Sequence, residues 1–224
     1  MSIRGILYDL GDVLFEAHLW REWNYKELTS MGLFHGNFTE FYKLYEGFLR
    51  DVYEGEKSYD KGYTDFLIYL GMKKVQPFKK ISYKKKGEYE NNRVLYEEVE
   101  NTLSAISEKK IKNIIITDNE MSETNVRLKV LSRFNINKYI DNIFTSYDMK
   151  MNKSNPMTFK HVLDTMNLNM NNVLFVGHDK DEISSANSIG IKTLEYNNYL
   201  NVVTYSKYKI KHFSEILNYF DNFT

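Results

Sequence analysis

The sequence of 224 residues contains no cysteine, which excludes a disulfide scaffold, thiol catalysis and zinc sites built from thiolates. It also has no net charge, with 30 basic and 30 acidic side chains, so a protein built mainly to grip nucleic acid or an acidic membrane is not expected. No run approaches the roughly 18 apolar residues of a membrane span, and Asp9 interrupts the apolar stretch that a signal peptide would need. We therefore expect a soluble, cytoplasmic globular protein, monomeric or homodimeric, with no nucleic-acid or membrane partner.

Short apolar runs predict the strands of a parallel sheet, because strands that are buried on both faces are continuously apolar. The runs span residues 3–10, 111–117, 142–145, 173–177 and 191–196. Between them, apolar residues recur at helical spacings of three and four, as at Leu95, Val99 and Leu103. This alternation predicts a right-handed, doubly wound α/β sheet.

The segment from residue 16 to residue 92 lacks strand-like runs and carries aromatic residues at helical spacing, such as Phe38, Phe41 and Tyr45. A connection of this length between the first two strands is far longer than an ordinary βα loop. We therefore predict an α-helical subdomain over residues 16–92, inserted into an α/β core formed by residues 1–15 and 93–224.

Chemically active side chains follow the predicted strands, at the sheet edge where open α/β proteins bind ligands. They are Asp9 and Gly11 after the first strand, Thr117, Asp118 and Asn119 after the second, and His178, Asp179 and Glu182 after the fourth, with Lys153 just before a helix. Carboxylate oxygens are ligands that Mg²⁺ prefers, and a hydroxyl and an amine can bind phosphate. The acids after the fourth strand could instead be first-turn residues that the helix dipole favours.

The order and spacing of these motifs resemble the haloacid dehalogenase-like (HAD) hydrolase superfamily, in subfamily I, whose members carry a helical cap after the first strand. The resemblance covers residues 3–15 and about 93–200 and implies a HAD-like Rossmannoid core. It further implies a phosphatase that acts on a small phosphorylated metabolite with Mg²⁺ as its cofactor.

The resemblance also implies roles for individual residues. Asp9 would be the nucleophile that forms an aspartyl-phosphate, and Lys153 would neutralise the nucleophile and the phosphoryl oxygens. Thr117 would bind the transferred phosphoryl group, and Asp118, Asn119 and Lys153 would complete the substrate site. The metal ligands would be Asp9, Gly11, Asp179 and Glu182.

Two positions depart from the pattern of the family. Gly11 stands where phosphatases usually carry a second aspartate, and a glycine can offer its carbonyl to Mg²⁺ but cannot transfer a proton. His178 stands where the first metal-binding aspartate of the fourth motif is expected, and neutral imidazole is a poor ligand for Mg²⁺. His178 could replace the missing acid as a catalytic proton donor, or it could mark a site that has lost its metal.

These departures leave two alternatives open. In a metal-independent 2-haloacid dehalogenase, Asp9 would attack carbon, and Arg21 or Arg50 could bind the carboxylate of the substrate. In a catalytically degenerate member, the site would bind a phosphorylated ligand or a protein partner without turnover. The acidic residues of the fourth motif favour the metal-dependent phosphatase over the dehalogenase, whereas Gly11 and His178 are the features that favour the degenerate member.

Overall fold

A parallel β-sheet forms the centre of the molecule in the computed structural model, which describes residues 2–196, 200 and 203–220. Its six strands are β1 (Gly5–Tyr8), β2 (Lys112–Thr117), β3 (Asn142–Thr145), β4 (Val173–Gly177), β5 (Lys192–Tyr196) and β6 (Tyr208–Ile210). They lie in the order β3-β2-β1-β4-β5-β6, and each strand runs parallel to its neighbours. The predicted doubly wound α/β sheet is therefore confirmed. The apolar runs do not predict β6, because it pairs over only three residues.

Four helices lie between β1 and β2 and together form the insert. They are α1 (Leu19–Ser30), α2 (Phe38–Tyr53), α3 (Tyr59–Tyr69) and α4 (Val75–Asn91). A capping box begins α2: the Asn37 side chain accepts from the Glu40 N–H at 3.0 Å, and the Glu40 carboxylate accepts from the Asn37 N–H at 2.8 Å, which satisfies amides that a first helical turn leaves unpaired. The exact division of the chain into two domains at residues 16 and 92 stays a prediction.

Aromatic side chains dominate the interior of the insert. Those buried there include Trp20, Phe41, Tyr45, Tyr53, Tyr63, Phe66 and Phe78. Their polar tips are paired, as burial requires: the Tyr63 hydroxyl lies 2.9 Å from Asn24 Oδ1 and 3.0 Å from Ser82 Oγ. The aromatic stripe seen in the sequence therefore forms a core of its own.

The remaining helices cover the two faces of the sheet. They are α5 (Val99–Glu108), α6 (Glu123–Lys129), α7 (Ser146–Met149), α8 (Pro156–Met166) and α9 (Lys180–Ser188), with a 3₁₀ helix at Phe213–Tyr219. Successive residues of a strand point to opposite faces, so Ile6 of β1 packs in a cluster with α5, while Leu7 packs in a second cluster with α8 and α9. Both clusters are rich in Ile, Leu and Val, in contrast to the aromatic interior of the insert.

The strand order reverses between β1 and β4, and ligands of open α/β sheets bind beyond the carboxyl ends of the strands at such a point. Asp9 follows β1 there, and His178 follows β4. The insert leaves the sheet just after β1, and its side chains close the same cavity from the other side. None of the helices in the described part of the chain is both long and apolar enough to cross a bilayer.

Candidate active site

A cavity of about 140 Å³ opens between this edge of the sheet and the insert. All but one of the side chains singled out in the sequence line it, namely Asp9, Gly11, Thr117, Asp118, Asn119, Lys153, His178 and Glu182. They come from segments up to 173 positions apart in sequence, and the carboxyl ends of parallel strands bring them to one place. The structure thus assembles most of the predicted site.

Both the backbone and the carboxylate of Asp9 are bonded to neighbouring groups. Its backbone N–H donates to Val176 at 3.0 Å, which extends the pairing of β1 with β4. One carboxylate oxygen accepts from the Leu10 N–H at 2.8 Å and from Lys153 Nζ, and the other lies 3.3 Å from His178 Nε2. Burial alone would raise the pKa of Asp9, but Lys153 and His178 hold it below its ordinary value. Asp9 is therefore a fully ionised carboxylate inside the protein.

Lys153 lies at the centre of a buried carboxylate cluster formed by Asp9, Asp118 and Glu182. Its ammonium donates to Asp9, and it lies 2.8 Å from Glu182 Oε1. Burial would lower the pKa of Lys153, but the three carboxylates raise it above its ordinary value. Burial and the charge of Asp9 raise the pKa of Glu182 well above its usual range. Three acids thus share a single ammonium.

Asp118 fixes the loop that carries Lys153. Its two carboxylate oxygens lie 3.0 and 3.2 Å from the Lys153 N–H, which donates to them. Burial raises the pKa of Asp118 to about 7, although Lys153 opposes the rise. Asn119 is also tied down, since its N–H donates to Ser146 Oγ and its side-chain oxygen accepts from the Met121 N–H, both at 3.0 Å. Both residues therefore shape the site as well as line it.

Asp179 is the predicted metal ligand that the structure does not bring to Asp9. It caps α9, where its Oδ1 accepts from the Asp181 N–H at 2.8 Å. Its half-buried side chain lines a neighbouring groove rather than the cavity that contains Asp9. The structure therefore favours the capping role for Asp179, whereas Glu182, one turn further along α9, reaches Lys153.

Asp12 is a residue that the motif analysis leaves outside the site. It is almost fully buried with φ of 61°, a left-handed conformation in which asparagine and aspartate are enriched among residues other than glycine. One of its carboxylate oxygens accepts from the Ala17 and His18 N–H groups at 2.8 and 3.0 Å and lies 2.7 Å from His18 Nδ1. Asp12 therefore ties the turn after Asp9 to the start of the insert.

Six further charged side chains line the cavity, four of them on helices of the insert, one just after α4 and one in the loop after β2. This charged wall consists of Arg21, Glu46, Lys86, Glu90, Arg93 and Glu120. Arg21 Nε donates to Glu46 Oε1 at 2.9 Å, and Lys86 Nζ donates to Glu90 Oε1 at 2.6 Å. The motif analysis names only Arg21 among them. The charged residues that interrupt the aromatic stripes of the insert could have suggested a charged surface. The sequence, however, does not show which edge of each helix faces the sheet.

The donor set fits a magnesium ion in part. Glu182 Oε2 is buried and has no hydrogen-bond partner among the described residues, and three carboxyl groups surround one ammonium, so a cation would satisfy both. No group of three or more His, Cys, Asp or Glu side chains in the described ranges is arranged to hold a metal ion. Mg²⁺, however, is commonly held by one or two carboxylates together with water and substrate phosphate. Asp9 and Glu182 are suitable carboxylates.

Comparisons with known proteins agree with this architecture. The family model described as haloacid dehalogenase-like hydrolase matches residues 52–195, more than half of the chain. No curated protein is similar enough to match the chain.

Solved structures show the same fold at low sequence identity. A structure of a dehalogenase is 16% identical, with a TM-score of 0.71 over 97% of this chain and 96% of that one. One described as a predicted phosphoglycolate phosphatase from Haemophilus somnus 129PT is 17% identical, with a TM-score of 0.67 over 97% and 98%. A magnesium-bound HAD-hydrolase, YfnB from Bacillus subtilis, is 16% identical, with a TM-score of 0.69 over 97% and 98%. The chain belongs to the haloacid dehalogenase-like hydrolase family.

Proposed function

We propose that the protein is a phosphatase that hydrolyses small phosphate monoesters through an aspartyl-phosphate on Asp9. The observation that carries this proposal is the position of Asp9, whose carboxylate is buried and lies between Lys153 and His178. Its carboxylate opens into a polar cavity beside Thr117. A preorganised anion next to an ammonium and a hydroxyl suits attack on a phosphoryl group, whose oxygens need positive charge and donors.

In the first half of the reaction, a carboxylate oxygen of Asp9 attacks phosphorus, and the bond from phosphorus to the leaving oxygen breaks. Lys153 orients the nucleophile and stabilises the phosphoryl oxygens, and the hydroxyl of Thr117 donates to one of them. In the second half, water attacks the phosphorus of the aspartyl-phosphate. Inorganic phosphate leaves, and the Asp9 carboxylate is restored.

Both halves need a proton carrier, which Gly11 cannot supply. We assign this role to His178, because its Nε2 lies 3.3 Å from the Asp9 oxygen that Lys153 does not contact. The imidazolium would protonate the leaving oxygen, and the neutral ring would then accept a proton from the attacking water. An imidazole is suited to both steps near neutral pH.

Magnesium is the cofactor that fits this proposal. Asp9 and Glu182 would hold it, with the Gly11 carbonyl as a third protein ligand. Bound there, the cation would offset the excess negative charge of the buried carboxylate cluster and of the phosphoryl group. The support is the unpartnered Glu182 Oε2 and the charge imbalance around Lys153.

Phosphate release from p-nitrophenyl phosphate, with Mg²⁺ and with EDTA, tests the proposal. Asp9→Asn keeps the shape of the side chain but removes its nucleophilicity, so we expect kcat to fall on the order of 10³-fold or more. Asp164→Asn, on the exposed side of α8, is the matched control and should retain activity. Unchanged turnover in Asp9→Asn would contradict the role of Asp9.

The second candidate is a metal-independent 2-haloacid dehalogenase, in which Asp9 displaces halide from carbon. The observations that favour it are His178 beside the nucleophile and Arg21 in the cavity, where it could bind a carboxylate. The buried carboxylate cluster opposes it, because Asp118 and Glu182 would repel both the departing halide and the carboxylate of the substrate. Chloride release from 2-chloropropionate in EDTA, abolished in Asp9→Asn, would establish this activity instead.

A further inference from the structure

We propose that Ser146 is a positioning residue for the reaction at Asp9. Its hydroxyl joins the end of α2 in the insert to the loop after β2, residues 118–122, and so fixes that loop beside the nucleophile. The side chain of Ser146 is fully buried, so it acts through its neighbours and not by contact with a substrate. The inference rests on the proposed function, because the rate of the reaction reports where the loop lies.

Both hydrogen bonds of the Ser146 hydroxyl go to backbone groups of residues that line the cavity. The hydroxyl donates to the Tyr53 carbonyl at 2.8 Å and accepts from the Asn119 N–H at 3.0 Å. The Asn119 carbonyl lies farther away, at 3.4 Å, and a serine hydroxyl has one proton to donate. Tyr53 is the last residue of α2, whereas Asn119 belongs to the loop after β2. One buried oxygen thus connects the two sides of the cavity.

The sheet determines where Ser146 lies. The residue directly follows β3, and the side chain of Thr145, the last residue of that strand, accepts from the Asp148 N–H at 3.1 Å. The Asp148 carboxylate in turn accepts from the Glu123 N–H at 2.7 Å, where α6 begins. These bonds to a strand and to a helix restrict the backbone on either side of Ser146, so its hydroxyl is a fixed reference point for both of its partners.

The turn after α2 packs closely against the same part of the core. Gly55 has φ of 73°, and a methyl group there would lie 3.0 Å from ring carbons of Tyr147, which is tighter than ordinary van der Waals contact. The Asn152 amide donates to Glu54 Oε1 at 2.7 Å, and Asn152 directly precedes Lys153. This end of the insert therefore contacts the segment that leads to Lys153 as well.

The loop after β2 is connected to the groups that carry out the proposed reaction. Thr117, whose hydroxyl binds the phosphoryl group in that proposal, immediately precedes the loop. Asp118, its first residue, accepts from the Lys153 N–H at 3.0 Å. Without the Ser146 hydroxyl, the Asn119 N–H loses its partner, and the loop would shift to recover one. A misplacement of about 1 Å can cost about 100-fold in rate, so even a smaller shift should lower kcat measurably.

Kinetics of Ser146→Ala on p-nitrophenyl phosphate with Mg²⁺ test the assignment, at a temperature well below its melting transition. We expect kcat to fall about tenfold with little change in KM, because misplaced phosphoryl-binding groups lose most in the transition state. Ser82→Ala is the matched control: this serine is also fully buried, and its hydroxyl lies 3.0 Å from that of Tyr63 inside the insert. It should lower the melting temperature but not kcat. A kcat for Ser146→Ala close to that of the wild type, or an equal loss in Ser82→Ala, would overturn the inference.

Gly55→Ala disturbs the same contact from the insert without removing a hydrogen-bonding group. Its methyl group would push the turn after α2 away from Tyr147, so we expect kcat to fall about threefold. Gly32→Ala is the matched control, because Gly32 has a similar φ of 69°, but a methyl group there would have no neighbour within 4 Å in the described part of the chain. In a Ser146→Ala background, Gly55→Ala should change little. Losses that multiply in the double variant, or an equal loss in Gly32→Ala, would contradict the coupling.

Hydrogen exchange at the Asn119 amide, measured by NMR, separates this inference from the phosphatase proposal, since it requires no turnover. The amide should exchange faster in Gly55→Ala than in Gly32→Ala, because the displaced turn weakens the hydrogen bond that protects it. That result, without phosphate release from any ester by the wild type, would overturn the phosphatase and leave the connection through Ser146 standing. Phosphate release that depends on Asp9, with equal exchange in the two glycine variants, would overturn the role of Ser146 and leave the phosphatase standing.

Discussion

The buried carboxylate cluster and the charged wall are two sides of one cavity, but they differ in how their charges are balanced. Around Lys153, three carboxyl groups share one ammonium, whereas the charged wall has as many acids as cations. Arg21 pairs with Glu46, and Lys86 and Arg93 both pair with Glu90, with Glu120 also close to Lys86. Imbalance shifts pKa values and keeps groups reactive, so it indicates where chemistry occurs. Where the charges are balanced, the side chains can still form hydrogen bonds but present no net charge, which suits contact with a neutral part of a substrate. On the proposed function, the first side would carry out the chemistry and the second would contact the rest of the substrate.

The largest effect that would sharpen this comparison concerns the two lysines of the cavity, Lys153 and Lys86. Lys153→Met leaves Asp9 and Glu182 without their shared partner inside the protein, so we expect the free energy of unfolding to fall by about 3–5 kcal/mol. Lys86→Met removes a partly exposed partner of Glu90 and Glu120 and should cost about 1 kcal/mol or less. Urea unfolding at pH 7 measures both.

Lys160→Met, on the exposed side of α8, controls for the loss of a positive charge in general. Equal losses of stability in Lys153→Met and Lys86→Met would show that the two sides of the cavity do not differ in the way proposed. A double variant with Glu182→Gln should recover part of the loss in Lys153→Met, because one uncompensated carboxyl is then removed.

The next effect concerns the imidazole beside the nucleophile. His178→Asp adds a fourth carboxylate to the cluster, so we expect a lower melting temperature in EDTA and a larger rise when Mg²⁺ is added. Mg²⁺ should bind about tenfold more tightly than to the wild type, by titration calorimetry, because a carboxylate is the better ligand for this ion. His178→Asn, which lacks the charge, should not show the gain. If both variants respond to Mg²⁺ alike, the added charge is not what recruits the ion.

The smallest effect concerns the pH dependence of stability. The pKa of Asp118 is about 7 in the folded protein and ordinarily 3.8, so between these values the folded chain binds more protons than the unfolded chain. The contribution of Asp118 to the free energy of unfolding therefore falls as pH rises from about 4 to about 7. In EDTA, Asp118→Asn should make this fall shallower, by on the order of 1 kcal/mol given its partial exposure. Asp164→Asn should leave the slope as it is, and an unchanged slope in Asp118→Asn would contradict the raised pKa.

The sequence predicts well which residues meet around Asp9, for a physical reason. Each residue there follows a strand or begins a helix, so its position in space is determined by the sheet. Asp9 and Lys153 meet because parallel strands end at one edge, and no detail of the insert is needed to foresee it. Asp179 is the exception, because a carboxylate at the start of a helix can cap that helix instead of facing the cavity.

The charged wall could not be predicted in the same way. Arg21 and Glu46 lie on α1 and α2, and their meeting depends on how two helices pack and how both lie over the sheet. Helical periodicity says which residues share a face but not what that face contacts. The conformation of Asp12 could not be predicted from the sequence either. Its φ of 61° goes with hydrogen bonds that its side chain accepts from the Ala17 and His18 N–H groups, and the fold brings those groups to it.

These donors to Asp12 determine where the molecule can bend. Residues up to His18 are bonded to the buried Asp12, and on the returning chain the Tyr96 N–H donates to Leu14 at 3.0 Å, next to a bridge between Phe15 and Leu95. The outgoing and the returning segments of the connection are therefore hydrogen-bonded to each other, and the outgoing segment is also bonded to the buried Asp12. If the insert rotates relative to the core, these contacts place the pivots after His18 and before Leu95, which would leave the backbone around Asp9 in place.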